Sequence, residues 1–297
     1  MTDTPPVCDY TNSDYQTSFW EKGGRAYEDG AEAAALRRLL PKSGQLLLEL
    51  GAGAGRNTPR YAGFRQVVLL DYSRTQLEQA RQRLGSAYIY VAADIYRLPF
   101  RSSLFDAATM IRTLHHMQDA PAALRQIQRV LQPNAFFLLE FANKRNLKAI
   151  LRYALKKQDW NPFHPEAVEF AKLNFDFHPQ TVFTWLKELG FQREQILSLS
   201  HFRAALIKRL FPTAFLVWLD SLLQPTGALW QLTPSVFVSS RLRKEGPASS
   251  APRSALEMLQ CPACGGASLQ DQGDFLQCAC GKKWAVQDGI YDFRQPL

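Results

Sequence analysis

Apolar positions in the first half of the chain follow two alternating rhythms. Predominantly apolar runs near 46–50, 67–70, 87–91, 107–111 and 136–141 predict buried strands. Between them the spacing becomes helical. Ser73 opens a capping box with Gln76, Leu77, Ala80 and Leu84 share one face, and Gly85 ends the run. Strand and helix in alternation predict a parallel sheet joined by crossover helices.

The run LLLELGAGAG, residues 46–55, joins the first predicted strand to a glycine turn where a helix can begin. Gly51, Gly53 and Gly55 let the backbone approach a ligand and take dihedrals closed to other residues. Such a turn alone is shared with dinucleotide sites, but the spacing here is G-x-G-x-G followed by Arg56, one residue short of that fingerprint. Glu49 lies two residues before Gly51. A carboxylate in an apolar strand needs a donor or a cation, and it would repel a pyrophosphate. A cationic, amino-acid-like ligand suits it. Asp71 ends the second strand with a carboxylate able to accept both hydroxyls of a ribose, and Asp94 ends the third.

These blocks, with FDAATMIRTLHHM (105–117) and ALRQIQRVLQPNAFFLLEF (123–141) in order, resemble the class I S-adenosylmethionine-dependent methyltransferases, in particular the small-molecule branch that includes quinone-biosynthesis enzymes. The resemblance covers roughly residues 20–141. It implies an α/β fold with a doubly wound, seven-stranded, mostly parallel sheet and S-adenosylmethionine as cofactor. It places Gly51 and Gly53 at the methionine moiety, Asp71 at the ribose, Asp94 at the adenine amino group and the Arg112 region at the carboxylate or amine end, with Glu49, Ala52, Gly55, Tyr72 and Ile95 as further cofactor-binding candidates. Tyr10, Tyr15, Trp20 and Tyr27 fall in a segment that relatives fold over the cofactor, and Tyr27 is the candidate taken from it. His115 and His116 are candidate acid–base groups that relatives carry without a uniform catalytic role. Asp106 is read as fixing the start of the fourth strand. Pro133-Asn134-Ala135 stands where the family has Pro-Gly-Gly, and Asn tolerates the left-handed dihedral that turn needs. The family's closing hairpin is expected at 195–200 and 235–242, after a helix over 180–189. That leaves residues 143–177 and 202–233 as insertions.

The net charge of +8 changes this picture through its location. Residues 142–255 hold 16 basic and 8 acidic side chains, against 16 and 14 before them and 3 and 5 after. Lys144, Lys148, Arg152 and Lys156 recur every four residues in the first insertion, and Phe211, Phe215, Trp218 and Leu222 form an apolar row in the second. No apolar stretch reaches the length of a membrane span. The start of the chain lacks a basic, apolar leader, so the expected compartment is the cytoplasm.

Residues 243–256 break every periodicity and read as a linker between a methyltransferase domain over 1–242 and a small domain over 257–297. The latter resembles the zinc ribbons that activate RNA and protein methyltransferases. Cys261, Cys264, Cys278 and Cys280 are its candidate zinc ligands, forming CxxC and a shortened CxC. The thiol outside it, Cys8, is remote from every motif, which argues against C5 methylation of a pyrimidine through a cysteine nucleophile. The expected activity is methyl transfer by in-line displacement to an oxygen, nitrogen or activated carbon of a small or lipid-like acceptor, with peripheral membrane contact as one mode of access. Methylation of tRNA or rRNA, and a catalytically silent binding module, are the alternatives.

Overall fold

The chain, seen in a computed structural model, is described over residues 5–7, 23–248, 252 and 254–297. Helix α1 (Ala26–Leu39) precedes β1 (Gly44–Leu50), β2 (Phe64–Asp71), α2 (Arg74–Leu84), β3 (Ile89–Ala92), β4 (Phe105–Met110), α3 (Ala120–Val130) and β5 (Leu131–Ala142). The first insertion carries α4 (Leu147–Ala154) and a small hairpin, β6 (Val168–Ala171) and β7 (Asn174–Asp176). After α5 (Pro179–Glu188) and β8 (Phe191–Leu199), the second insertion supplies α6 (Ala205–Leu210) and α7 (Thr213–Leu223) before β9 (Ser235–Leu242). The chain ends in α8 (Ala255–Met258), β10 (Leu269–Asp271), β11 (Phe275–Cys278), β12 (Lys283–Gln287) and β13 (Ile290–Asp292).

The strands pair in the order β3-β2-β1-β4-β5-β9-β8, with β1 to β5 parallel and β9 antiparallel to both neighbours. The seven strands expected are therefore joined by four more. The meander β10-β11-β12-β13 adds its last strand in parallel to β3, and the described residues form one eleven-stranded sheet. Apolar patterning identifies strands but not the partner an edge will take, so this extension is invisible in the sequence.

Local chemistry explains the element ends. Ser73 Oγ accepts from the Gln76 amide at 3.4 Å, and Gly85 closes α2 at φ +81°. Asp106 accepts from the Gln45 and Leu46 amides at 2.8 and 2.6 Å, tying the first residues of β1 to β4. Asn134 takes φ +62°, as its turn demands. The basic row of the first insertion is shorter than its spacing predicts. Asn146 caps α4 through the Ala149 amide, so the helix begins only at Leu147. Lys144 lies before it, buried, donating to the carbonyls of His164 and Glu166 at 2.9 and 2.6 Å. Lys156 falls beyond it at φ +53°. Lys148 and Arg152 remain on the exposed helix.

Candidate active site

The cavity that gathers most of the candidate residues opens beyond the carboxyl ends of β1, β2 and β4. Its walls come from the turn after β1, from Asp71 and Tyr72, from Ala93 and Ile95, and from the segment 111–117. Gly51 adopts φ +67°, and a Cβ there would lie 2.1 Å from Thr113 Oγ1, so only glycine fits between turn and wall. Gly53, at φ +54°, would place a Cβ in open space, with nothing nearer than Gln76 at 3.8 Å. That space is a cradle in which a ligand replaces a side chain. Gly55 differs: a Cβ there would meet Leu84 at 2.5 Å, so this glycine lets the turn pack on α2 and is not one of the cavity walls.

Acids line the cavity at two points. Asp71 accepts from the Gly53 and Ser73 amides, both at 2.8 Å, which fixes the carboxylate at the pocket edge and ties it to the glycine turn. Glu49 is buried at 5 % exposure and accepts from the Thr58 hydroxyl at 2.6 Å. Burial raises its pKa to about 7, against the opposing pull of Thr58 and Arg56. A carboxyl so desolvated favours a bound cation over water.

Asp94 is not a cavity wall, although its neighbours Ala93 and Ile95 are. Its Oδ1 accepts from the Tyr96 amide at 2.9 Å and caps a short 3₁₀ turn, and burial raises its pKa. Tyr27 also lies off the cavity. Its buried hydroxyl donates to Asp220 Oδ2 at 2.6 Å and accepts from the Phe202 amide at 2.9 Å, so it joins α1 to the second insertion. Tyr10, Tyr15, Trp20 and Cys8 lie outside the described residues.

Arg112 is a wall, held at φ +54° with its amide donating to Glu140 at 2.8 Å and its Nε to Glu32 at 2.5 Å. Glu32 also accepts from Arg56 at 2.6 Å. Burial alone would raise the Glu32 pKa, but the guanidiniums of Arg112 and Arg56 outweigh it and hold the carboxyl below its ordinary value. This Arg56–Glu32–Arg112 bridge fastens α1 across the turn and the wall. Sequence reasoning missed Glu32 because its partners are 24 and 80 residues away. The available signal was an acid in helical register with the apolar positions Ala31, Ala35, Leu36 and Leu39 of the buried face.

His116 is a wall as well, and the His115 ring lies tilted against it, 4.0 Å between centroids, without lining the cavity. His116 Nδ1 sits 3.2 Å from the Leu173 carbonyl. A carbonyl only accepts, so Nδ1 carries the hydrogen and Nε2 is the basic nitrogen. Burial lowers the pKa of both rings, leaving them neutral near pH 7. The β6–β7 hairpin that supplies Leu173 brings Asp176 towards Arg203 and Glu140, and burial raises Asp176 to about 6 despite Arg203.

A second cluster lies in the C-terminal meander. The sulfurs of Cys261, Cys264, Cys278 and Cys280 all fall within 4.8 Å of one another, with Cys261–Cys280 at 3.8 Å and Cys264–Cys278 at 3.5 Å. A tetrahedral site with metal–sulfur bonds near 2.3 Å requires sulfur–sulfur edges of roughly 3.8 Å. Gly265 at φ +73° and Gly281 at φ +87° turn the chain behind each pair. The shortened CxC therefore brings its two sulfurs into the same cluster as those of CxxC.

Residues 48–139 match the methyltransferase domain family. A 2-phytyl-1,4-naphtoquinone methyltransferase of Nostoc punctiforme is 30 % identical over 164 residues, covering 44 % of this chain and 71 % of that protein. The enzyme of the same name from Nostoc sp. is 37 % identical over 115 residues, 35 % of this chain and 50 % of its own. The chain thus spans about half the length of curated relatives of this kind. Among solved structures, an S-adenosylmethionine-dependent methyltransferase from Mesorhizobium loti shares the fold at a TM-score of 0.51, with 20 % identity over 72 % of this chain and 99 % of that one. Glycine turn, acid-tipped second strand and sequence kinship agree: the chain belongs to the S-adenosylmethionine-dependent methyltransferase family.

Proposed function

We propose that this protein transfers the methyl group of S-adenosylmethionine to a lipid-like acceptor of the quinone class. The observation that carries the reading is the cavity itself, whose walls include the acids Glu49 and Asp71, the ring of His116 and the apolar side chains of Ile111 and Met117. The Gly53 cradle and the two acids fit the cofactor. Glu49 suits its ammonium, Asp71 its ribose hydroxyls, and Ala93 and Ile95 give an apolar seat for a flat base. The bound cofactor supplies a methyl group already activated by sulfonium charge. The protein then needs to hold the acceptor in line, exclude water and accept a proton. His116 is neutral, with Nε2 as its basic nitrogen, and suits the last task. Relatives that are 2-phytyl-1,4-naphtoquinone methyltransferases point to an acceptor with a flat ring and an apolar tail.

In the C-terminal meander the four thiolates suit one structural zinc ion, closed to further ligands. The methyltransferase reading is tested by incubating purified protein with radiolabelled S-adenosylmethionine and fractionated cell extract, then with a reduced prenylated naphthoquinone. Counts in the lipid fraction support it. Counts in RNA alone remove the acceptor assignment.

A further inference from the structure

Exposed apolar side chains are ordinary when scattered and informative when gathered. Of the fifteen large hydrophobic residues exposed among those described, twelve lie within 147–155 and 206–230. Leu151 and Leu155 in and just after α4, Leu206 and Leu210 on α6, Trp218 on α7 and Trp230 after it are each more than half exposed. Phe211 stacks on Phe215 at 5.7 Å, with Trp218 next in line at 5.8 Å, so aromatic surface is shared along the helix rather than sunk into the core.

Topology brings these segments to one edge of the molecule. Ala142 at the end of β5 pairs with Ser235 at the start of β9, and Ser235 pairs with Leu199 at the end of β8. The chains leaving β5 and β8 and the chain entering β9 therefore meet at the carboxyl edge of the parallel strands, where the cavity opens. The Leu147 amide donates to the Leu232 carbonyl at 2.8 Å, setting the first turn of α4 beside Trp230. Lys208 on α6 pairs with Glu28 on α1 at 3.1 Å, and Asp220 on α7 accepts from Tyr27 on α1. Both helices are thus anchored to the element that also holds Arg56 and Arg112.

Charge selects the occupant. Lys148, Arg152, Lys156, Lys157 and Arg209 are exposed in these segments. The one acid within 144–157 and 203–230 is Asp220, which is fully buried and engaged by Tyr27 and His201. A second copy of this chain would set like charges against each other. RNA would use the cations but not the leucines. An anionic bilayer uses both: apolar side chains enter the acyl boundary while lysine and arginine reach the head groups. No described helix is long and apolar enough to cross a membrane, and α4 and α7 span only 8 and 11 residues.

We propose that α4, α6, α7 and the segment through Trp230 form an interfacial docking surface for an anionic lipid bilayer. Its use in delivering acceptor rests on the lipid-like acceptor proposed above, but the docking itself does not require methyl transfer.

The test is co-sedimentation of the full chain with phosphatidylglycerol–phosphatidylcholine vesicles and with pure phosphatidylcholine vesicles, at low and high salt. Binding is expected to the anionic vesicles and to weaken with salt. Each surface cation contributes on the order of fivefold, so the triple variant Lys148→Gln, Arg152→Gln, Lys156→Gln should lose roughly a hundredfold in affinity. Trp218→Glu with Leu210→Glu should lose binding while keeping the wild-type affinity for S-adenosylmethionine, which also shows that the variant is folded. Equal binding to both vesicle types, no binding to either, or binding untouched by the glutamate pair overturns the proposal. So does concentration-dependent dimerisation that the glutamate pair abolishes, or RNA binding lost in the triple variant alone. Vesicle binding without transfer to a vesicle-borne naphthoquinone would keep the docking surface and remove the acceptor reading. Transfer to a detergent-dispersed acceptor without vesicle binding would do the reverse.

Discussion

Glu49→Gln should separate stability from cofactor binding, with opposite signs. In the folded chain the Glu49 carboxyl is raised from 4.5 to about 7 by burial. A group whose folded pKa lies above its unfolded value favours folding in its protonated form. Its contribution to stability is therefore greatest below about pH 4.5, falls as pH rises through 7, and is level above that. The shift corresponds to about 3 kcal/mol between the two plateaus. Glutamine carries no ionisation cost and can still accept from Thr58. Urea denaturation of cofactor-free protein should show Glu49→Gln more stable than wild type by up to about 3 kcal/mol at pH 8, with the gain shrinking towards pH 5. Calorimetry should show the reverse for S-adenosylmethionine. Wild-type affinity falls as pH drops below 7, because the ammonium needs the ionised carboxylate, while the variant binds weakly with little pH dependence from this site. A variant that is destabilised at pH 8, or that binds the cofactor as wild type does, would refute the reasoning about Glu49.

The other expectations are narrower. Asp71→Ala removes the acceptor for two backbone amides and for the ribose hydroxyls, and calorimetry should show a ten- to hundredfold loss of cofactor affinity, on the order of 1.5–3 kcal/mol. If affinity holds, the ribose lies elsewhere. His116→Gln should remove the acid limb of the pH–rate profile, which burial of the ring places below pH 6.5, while leaving cofactor affinity intact; a limb that persists assigns the base to another group. Tyr27→Phe deletes the bond to buried Asp220 and should cost about 1–3 kcal/mol of stability without changing cofactor affinity, and a changed affinity would return Tyr27 to the cofactor site. Chelation should release about one zinc per chain and disorder residues 257–297 as followed by hydrogen exchange, whereas freshly purified protein free of zinc by elemental analysis would defeat the metal assignment.

What the sequence made legible was local. The capping box at Ser73 and the glycine turn after β1 are set by neighbours in the chain or by a motif whose spacing is fixed. Glu49 and Asp71 stood out because an acid in an apolar strand needs a reason. Other contacts were hidden for another reason. Lys144, Lys148, Arg152 and Lys156 have helical spacing, but periodicity does not see Asn146, whose cap starts α4 two residues after Lys144. Tyr27 sits in a lid-like segment of sequence, yet its hydroxyl is claimed by Asp220, 193 residues away. Likewise the Glu32 bridge depends on pairings that only the folded sheet creates.

The C-terminal meander shows the same division within one element. Its cysteines announce a metal knuckle from spacing alone, whereas its attachment combines backbone pairing to β3, side-chain bonds from α2 and a core shared with the main sheet, none of which the spacing reveals. Tyr291 of β13 pairs in parallel with Val91, and the Phe293 amide donates to the Ala92 carbonyl at 2.7 Å. Arg74 reaches across to Gln287 at 2.5 Å and Asp288 at 3.3 Å. An uncovered β3 would present its edge amides and carbonyls to solvent or to another chain. The meander covers that edge at the residue before Ala93, which is itself a wall of the cavity. Whatever orders the four thiolates therefore also steadies the strand that leads into Ala93 at the cavity wall. Across the shortened CxC, Gly281 turns the chain at φ +87° and β11 and β12 stay paired, with Leu276 opposite Trp284. A small domain with little core of its own gains a large sheet to pack against, and the sheet gains a closed edge next to the cavity wall at Ala93.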